Sequence, residues 1–394
     1  MGMKIIDESL SGHCHLKRTC SKNLKVLNRG NGIDLRPCPN KLRRQFFETY
    51  KNDDRMRKVD AFLCHHAAGM CEVFMPFNAS LIIIVSTRYE IGRHDPTRWI
   101  AWNANLKAIA QDPRNIIAAN NRYDAEYLKY FTGLDDVPVI PNFCDYVGVS
   151  YKPTRTQILV GPGRGIKDTL FRALESIGKS RGGFIFKRVR DLYPHFEYAD
   201  LAAHPAIILI PYQVSIMSIF EYYRMALPIF VPTPRLLAKW QVQYKVISER
   251  SWNLVRNKPH RGSPLPPAPK YAHLPDPNDE IHADKIEFWI KYADFYQWPH
   301  IITFDSFEQL CTLLKTTDLH QISDKMKLYN QQMKADLQQQ WQSIFRRIFH
   351  HLPPASIQLR KQILNYDQAM AQRFHVRVPR DKCVGDQHNF LSSS

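Results

Sequence analysis

No apolar stretch in these 394 residues approaches the roughly 18–20 that a membrane-spanning helix needs; the Leu81–Val85 run falls far short. The opening, MGMKIIDESL, has no apolar core and does not read as a secretory signal. Ile6 also stands where a myristoylation signal needs Ser or Thr. The compartment expected from this is the cytoplasm, or a lumenal one if the chain is a piece of an anchored protein. Eight cysteines are too sparse for a disulfide scaffold, and none falls in a C-x-x-C pair. His13, Cys14, His15 and Cys20 lie close together, but their spacing fits no standard zinc site, and they read as part of a solvated arm.

Chemical signatures are missing too. There is no D-x-D, so hard-cation ligation by close carboxylates has no support. There is no G-x-S-x-G and no H-E-x-x-H, which removes two common hydrolase classes. No metal and no tightly held cofactor are expected.

What the chain does have is positive charge, +17 in all. Such an excess suggests a nucleic-acid partner, but its distribution argues otherwise. A net +7 sits in residues 1–60 and +5 in 341–394, leaving only +5 for the 280 residues between. A sequence-specific nucleic-acid partner is therefore not expected. Residues 1–58 read as a basic, poorly ordered arm, and 346–394 as a basic tail. With 44% hydrophobic and 12% aromatic residues the centre has a folding composition.

From Val59 onward short apolar runs alternate with helical stretches. Strands are expected at 59–64, 81–86, 115–119 and 137–140, with helices through Trp99–Ile109 and Tyr123–Phe131, the second stopped by Gly133. Residues 143–156 show no clear element, and 146–156 reads as a linker. The pattern then restarts: strands at 157–160, 184–189, 206–211, 227–231 and 300–304, with a helix over 218–225. Met326–Phe349 reads as a long amphipathic helix. Residues 252–279, rich in proline, read as a surface excursion or lid. Strands alternating with helices mean parallel sheets covered on both faces. The expected fold is α/β: two doubly wound, Rossmann-like domains, 59–145 on the acceptor side and 157–345 on the nucleotide side, facing across a cleft.

Ligands of such sheets sit beyond the carboxyl ends of the strands. There stand His65, His66, Thr87, Arg88, Asn120, Asn121 and Asn142, then Gly161–Arg164, Lys187, Arg188, Arg190, Tyr212 and Ser215. Gly161-Pro162-Gly163-Arg164-Gly165 joins a strand to a helix. It is neither a P-loop nor G-x-G-x-x-G, since position 166 is Ile. Glycines and a helix N-terminus still suit a phosphate, with Arg164 and Lys167 beside them. A plain tight turn is the alternative.

The segment YADLAAHPAIILIPYQVSIMSIFEYYRMALPIFVPTPRLLAKW, Tyr198–Trp240, runs strand, Ser-containing turn, helix with Glu221, then Leu227-Pro228-Ile229-Phe230-Val231. It resembles the donor-binding half of GT-B-fold glycosyltransferases. The resemblance implies transfer of a sugar from a nucleotide-sugar donor to a glycan or other acceptor. It implies that Glu221 grips the ribose hydroxyls, with Ser215 and Ser218 near the diphosphate. Gly161, Gly163, Arg164, Lys167, Lys187 and Arg188 join them as the expected donor-binding set. Gln213 stands where retaining members often carry a first Glu, and Leu227 replaces the usual Gly before Pro228. His65 or His66 is the expected base, since imidazole titrates near neutrality, and Arg164 is expected to stabilise the leaving group. A decayed transferase module that binds an acidic glycan or another polyanion is the alternative. Asn78-Ala79-Ser80 matches a glycosylation sequon but adjoins a strand expected to be buried.

Overall fold

The computed structural model describes residue 26 and residues 39–65, 68–86, 89, 96–255 and 261–350. They form two compact units. The first reaches to Ala118 and takes up again at Ile344; the second is Ala119–Ser343. The expected boundary at 146–156 does not coincide with this division.

In the first unit, helix α1 (Pro39–Tyr50) lies inside the stretch expected to be a poorly ordered arm. Its Phe46, Phe47 and Tyr50 share one face and are buried, and Phe46 meets Phe74 and Phe77 edge-on. Strand β1 (Ala61–His65) pairs in parallel with β2 (Ser80–Val85), from Ala61 opposite Ser80 to His65 opposite Ile84. Between them a short helix, α2 (Cys71–Phe74), carries Cys71, which is disulfide-bonded to Cys64. β2 is central in the order β1-β2-β3 and buried throughout, so it can be apolar at every position. Helix α3 (Pro96–Ile109) buries Trp99, Trp102, Leu106 and Ile109, as their spacing predicts, but also Asn103, Ala104 and Asn105, so its burial extends beyond the single face expected. Glu72 is buried but compensated by Arg98 and Asn105. The sheet ends with β3 (Ile116–Ala119), where the chain passes into the second unit.

In the second unit, helix α4 (Arg122–Thr132) starts at Asn121, whose side chain accepts the Asp124 N–H at 2.7 Å. Such a cap contributes about 1 kcal/mol. Gly133, at φ 76°, ends the helix as expected. The strand expected at 137–140 is reduced to a single bridge, Val139 with Ala119. Prolines at 138 and 141 explain this: they cannot donate to a ladder.

The main sheet then unfolds in order. β4 (Ile158–Gly161) leads to α5 (Asp168–Gly182) and β5 (Phe186–Arg188). Short helices α6 (Val189–Leu192) and α7 (Tyr198–Ala202) precede β6 (Ile207–Leu209). α8 (Met217–Arg224), β7 (Ile229–Pro232), α9 (Pro234–Tyr244) and α10 (Trp252–Val255) follow. α11 (Ala283–Ile290), α12 (Asp294–Gln297), β8 (Ile302–Phe304) and α13 (Phe307–Thr316) come next. Helix α14 (Leu319–His350) closes the described chain, and the division between units falls within it.

The five strands are all parallel, in the order β5-β4-β6-β7-β8. Numbered from β4, this is the 2-1-3-4-5 order of a doubly wound sheet rather than 3-2-1-4-5-6. One face packs Val160, Ile208, Phe230 and Phe304 against Leu174 of α5, Leu237 of α9, Ile286 of α11 and Leu310 of α13. Each such side chain, fully buried, contributes about 1.5–3 kcal/mol. The other face buries Leu159, Ile207, Leu209, Ile229 and Val231.

The described part of the proline-rich stretch, expected to be an excursion or lid, is anchored to α4. The Ala268 N–H donates to the Tyr130 carbonyl at 2.7 Å, and the Asn278 amide reaches the Tyr127 hydroxyl at 2.7 Å. Tyr123 and Tyr130 of α4 also contact Trp289 of α11. At its far end Arg250 is buried against Glu280, 2.9 Å away, and donates to the Pro277 carbonyl at 2.7 Å.

Candidate functional site

β5 lies on one side of β4 and β6 on the other, so the chain reverses its direction of winding between β4 and β6. Beyond the carboxyl ends of those two strands such a fold opens a crevice. Three groups of side chains lie in, or are bonded to, the segments that follow those strand ends, all within the second unit.

The first belongs to the glycine loop. A Cβ at Gly165 would stand 1.6 Å from the Ile210 carbonyl oxygen, so no other residue fits where the loop crosses the end of β6. The turn closes with Gly165 N–H on the Pro162 carbonyl at 3.1 Å. This geometry turns Arg164 outward, 73% exposed at its side chain. Its guanidinium lies 5.7 Å over the Tyr212 ring and 2.8 Å from Oε1 of Glu249. Oε2 of Glu249 accepts from the Gln213 amide at 2.5 Å. The Glu249 N–H holds the Tyr212 carbonyl at 3.0 Å. A carboxylate therefore does stand beside position 213, supplied by a distant segment.

The second group surrounds α8. Oε1 of Glu221 accepts the hydroxyls of Tyr146, at 2.9 Å, and of Tyr198, at 2.8 Å. Burial first, and then the Glu221 carboxylate, push the Tyr198 phenol up to about 12. Shielding of its hydroxyl end, with hydrogen bonds to Cys144 and Glu221, raises the Tyr146 phenol too, although the residue as a whole is exposed, so both stay protonated donors. Next to Glu221 in the chain, the buried Tyr222 places its hydroxyl behind Gly161, where a Cβ would lie 3.6 Å from it. Burial pushes that phenol to about 12, a rise that a hydrogen bond with Ser218 opposes. Thus Ser218, Glu221 and Gly161 belong to one neighbourhood.

The segment before Gly148, expected to lack structure, is fastened to α8 at four successive places. The Asn142 amide meets the Met217 sulfur at 3.4 Å, and the Arg224 guanidinium lies 4.7 Å over the Phe143 ring. Asp145 pairs with Arg224 at 2.6 Å and Lys334 at 2.9 Å. Hydrogen bonds from Lys334 and Arg224 hold the Asp145 carboxyl below its ordinary value. Tyr146 completes the series on a 3-10 turn, Asp145–Val147, and the residue is 64% exposed.

The third group is Asp294, at the start of α12. It is fully buried, its N–H reaches the Val214 carbonyl at 3.3 Å, and its Oδ2 finds no partner among the described residues. Burial pushes its carboxyl up to about 8; a hydrogen bond with Ser215 opposes this and the neighbouring Asp124 adds to it. Ser215 thus sits beside a protonated acid rather than standing alone.

The remaining expected residues lie elsewhere. Arg188 pairs with Asp168 at 2.5 Å and covers the Phe171 ring at 4.3 Å, tying β5 to α5. Lys187 is exposed on the edge strand β5, on the opposite face from Arg188. Lys167 caps α5 in extended conformation without a side-chain capping bond. Gly163 lies in the turn, where a Cβ would meet only Arg190, at 3.9 Å. His65 is exposed at the end of β1, in the first unit. His66, Thr87, Arg88, His13, Cys14, His15 and Cys20 lie outside the described residues. Asn78 of the sequon is half-buried and accepts from Arg114 at 3.3 Å, and Ser80 is buried.

Glu249, Tyr146, Tyr198 and Asp294 were not expected at the site. Tyr198 opens the segment that carries the resemblance, and no pattern in the sequence marks the other three. Among the described residues no group of three or more His, Cys, Asp or Glu could hold a metal ion, and no helix is long and apolar enough to cross a membrane. Compared with known proteins, the chain matches no family model, no curated protein and no solved structure.

Proposed function

We propose that this chain is a glycosyltransferase of GT-B type that binds a nucleotide-sugar donor at the carboxyl edge of β4 and β6. One observation carries the reading: the Arg164 loop follows β4 and the helix bearing Glu221 follows β6, the two neighbouring strands between which the winding of the parallel sheet reverses. The glycine loop offers backbone N–H groups and a guanidinium to a diphosphate. Glu221 is an acceptor for ribose hydroxyls, fixed in place by two phenols. Arg164 would stabilise charge as it develops on the departing diphosphate. The base of an inverting transfer is assigned to His65 or His66 on imidazole chemistry alone. The acceptor would be a glycan or another hydroxyl compound, and no step calls for a metal.

The test is thermal stability of the full chain with a panel of nucleoside diphosphates and their hexose esters, with and without magnesium. At least one nucleotide should raise the melting temperature by several degrees without magnesium, and Glu221→Ala should abolish the rise. No shift with any member of the panel would refute the reading.

A further inference from the structure

Arg164 is the guanidinium that the glycine loop turns outward, yet its charge is already offset by Glu249. Glu249 is held firmly. Its second oxygen takes the Gln213 amide, and its backbone bonds the strand β6 exit at Tyr212. Its neighbour Arg250 is buried, with Glu280 and two backbone carbonyls as partners. The fold gains little from the Arg164–Glu249 pair itself, since ion pairs with so exposed a partner contribute about 0–1 kcal/mol. A fixed carboxylate beside an anion-binding arginine has two effects. It repels any additional negative charge on the ligand, and it accepts hydrogen bonds from hydroxyl groups.

A nucleoside diphosphate ends in a phosphate with an extra charge. Its ester with a neutral sugar ends in hydroxyls instead. We infer that Glu249 is a specificity-determining residue of the nucleotide site: it favours diphosphates esterified to an uncharged sugar over free nucleoside diphosphates and over esters of acidic sugars. Discrimination of this kind needs a repulsive element as well as an attractive one, and Glu249 supplies both. The inference rests on the nucleotide-sugar reading above.

The experiment is calorimetric titration of wild type, Glu249→Gln and Glu249→Asp. The probes are UDP, GDP and ADP, each against its neutral ester: UDP-glucose, GDP-mannose and ADP-glucose, with UDP-glucuronate as the acidic case. For whichever nucleotide binds, Glu249→Gln should tighten the free diphosphate about three- to tenfold and weaken the neutral ester or leave it unchanged. UDP-glucuronate, if uridine is the base, should tighten as the free diphosphate does. Glu249→Asp, which keeps the charge, should keep the wild-type order of affinities. The same change for diphosphate and neutral ester in Glu249→Gln, or none, would overturn the role of Glu249 and leave the nucleotide-sugar reading standing. A wild type that binds no probe would overturn both. Should Glu249→Gln melt far below wild type without ligand, Glu249→Asp decides: an inverted order of affinities there refutes the inference.

Discussion

Replacing Asp294 with asparagine should stabilise the chain at alkaline pH and bring no gain near pH 4. The folded carboxyl titrates near 8 against an ordinary 3.8, because burial removes it from water and the Ser215 hydroxyl compensates only in part. Asp124, also buried, faces it with a like charge. Below pH 3.8 both the folded and unfolded chains carry the proton, so the site is neutral to stability. Between 3.8 and 8 the folded chain keeps the proton while the unfolded chain releases it. Each pH unit then costs the fold up to about 1.4 kcal/mol, until the loss is complete above 8. That sets a ceiling of about 6 kcal/mol. Asparagine avoids this loss but buries an amide that must find its own partner, at about 1–3 kcal/mol. A net gain of up to about 3–5 kcal/mol at pH 8.5 is therefore expected. Near pH 4.5 the variant should be equal to or slightly less stable than wild type. Urea unfolding followed by tryptophan fluorescence at pH 4.5, 6.5 and 8.5 measures both. Parallel stability profiles for the two proteins would refute the reasoning, as would a variant weaker than wild type at pH 8.5.

Arg250→Met should cost about 3–5 kcal/mol, because it leaves Glu280 charged and fully buried; a loss under 1 kcal/mol by urea unfolding would contradict the buried pair. His204 is fully buried, with Nδ1 donating to the Gln157 carbonyl at 2.7 Å and Nε2 accepting the Tyr193 hydroxyl at 2.8 Å. Burial lowers its pKa, which the bond to Gln157 partly opposes, so its contribution is present above about pH 6.5 and fades as pH falls below that value. The stability advantage of wild type over His204→Gln should shrink between pH 7 and 5, and a constant difference would refute that assignment.

The parts of the fold legible in the sequence are those whose burial is uniform. β2, β4, β6 and β7 are parallel strands covered on both faces, so they appear as unbroken apolar runs. α1 was hidden because Phe46, Phe47 and Tyr50 stand among lysines and arginines that give the whole stretch a polar texture. The expected strand at 137–140 failed for the opposite reason: apolar residues without enough backbone donors. At the candidate site, the loop glycines were legible because they follow β4 directly, whereas Glu221, twelve residues beyond β6 on α8, was legible only through the resemblance. Glu249 was not, since 85 residues separate it from Arg164. Tyr146 was not either, because it meets Glu221 across 75 residues and sits in a turn with no periodicity of its own. Strand order, which puts the crevice between β4 and β6, is set by tertiary pairing alone.

The fastening of Asn142–Tyr146 to α8 bears on how this protein can be dissected. The stretch has the polarity and turn residues at which a gene would ordinarily be cut to express one half alone. A fragment starting after Tyr146 would strip Arg224 of its aromatic lid and its carboxylate, and Glu221 of one phenol. On the proposed nucleotide-sugar reading, such a fragment would bind donor more weakly even if its sheet folded normally. Fragments intended to retain the site should begin upstream, at or before Ala119.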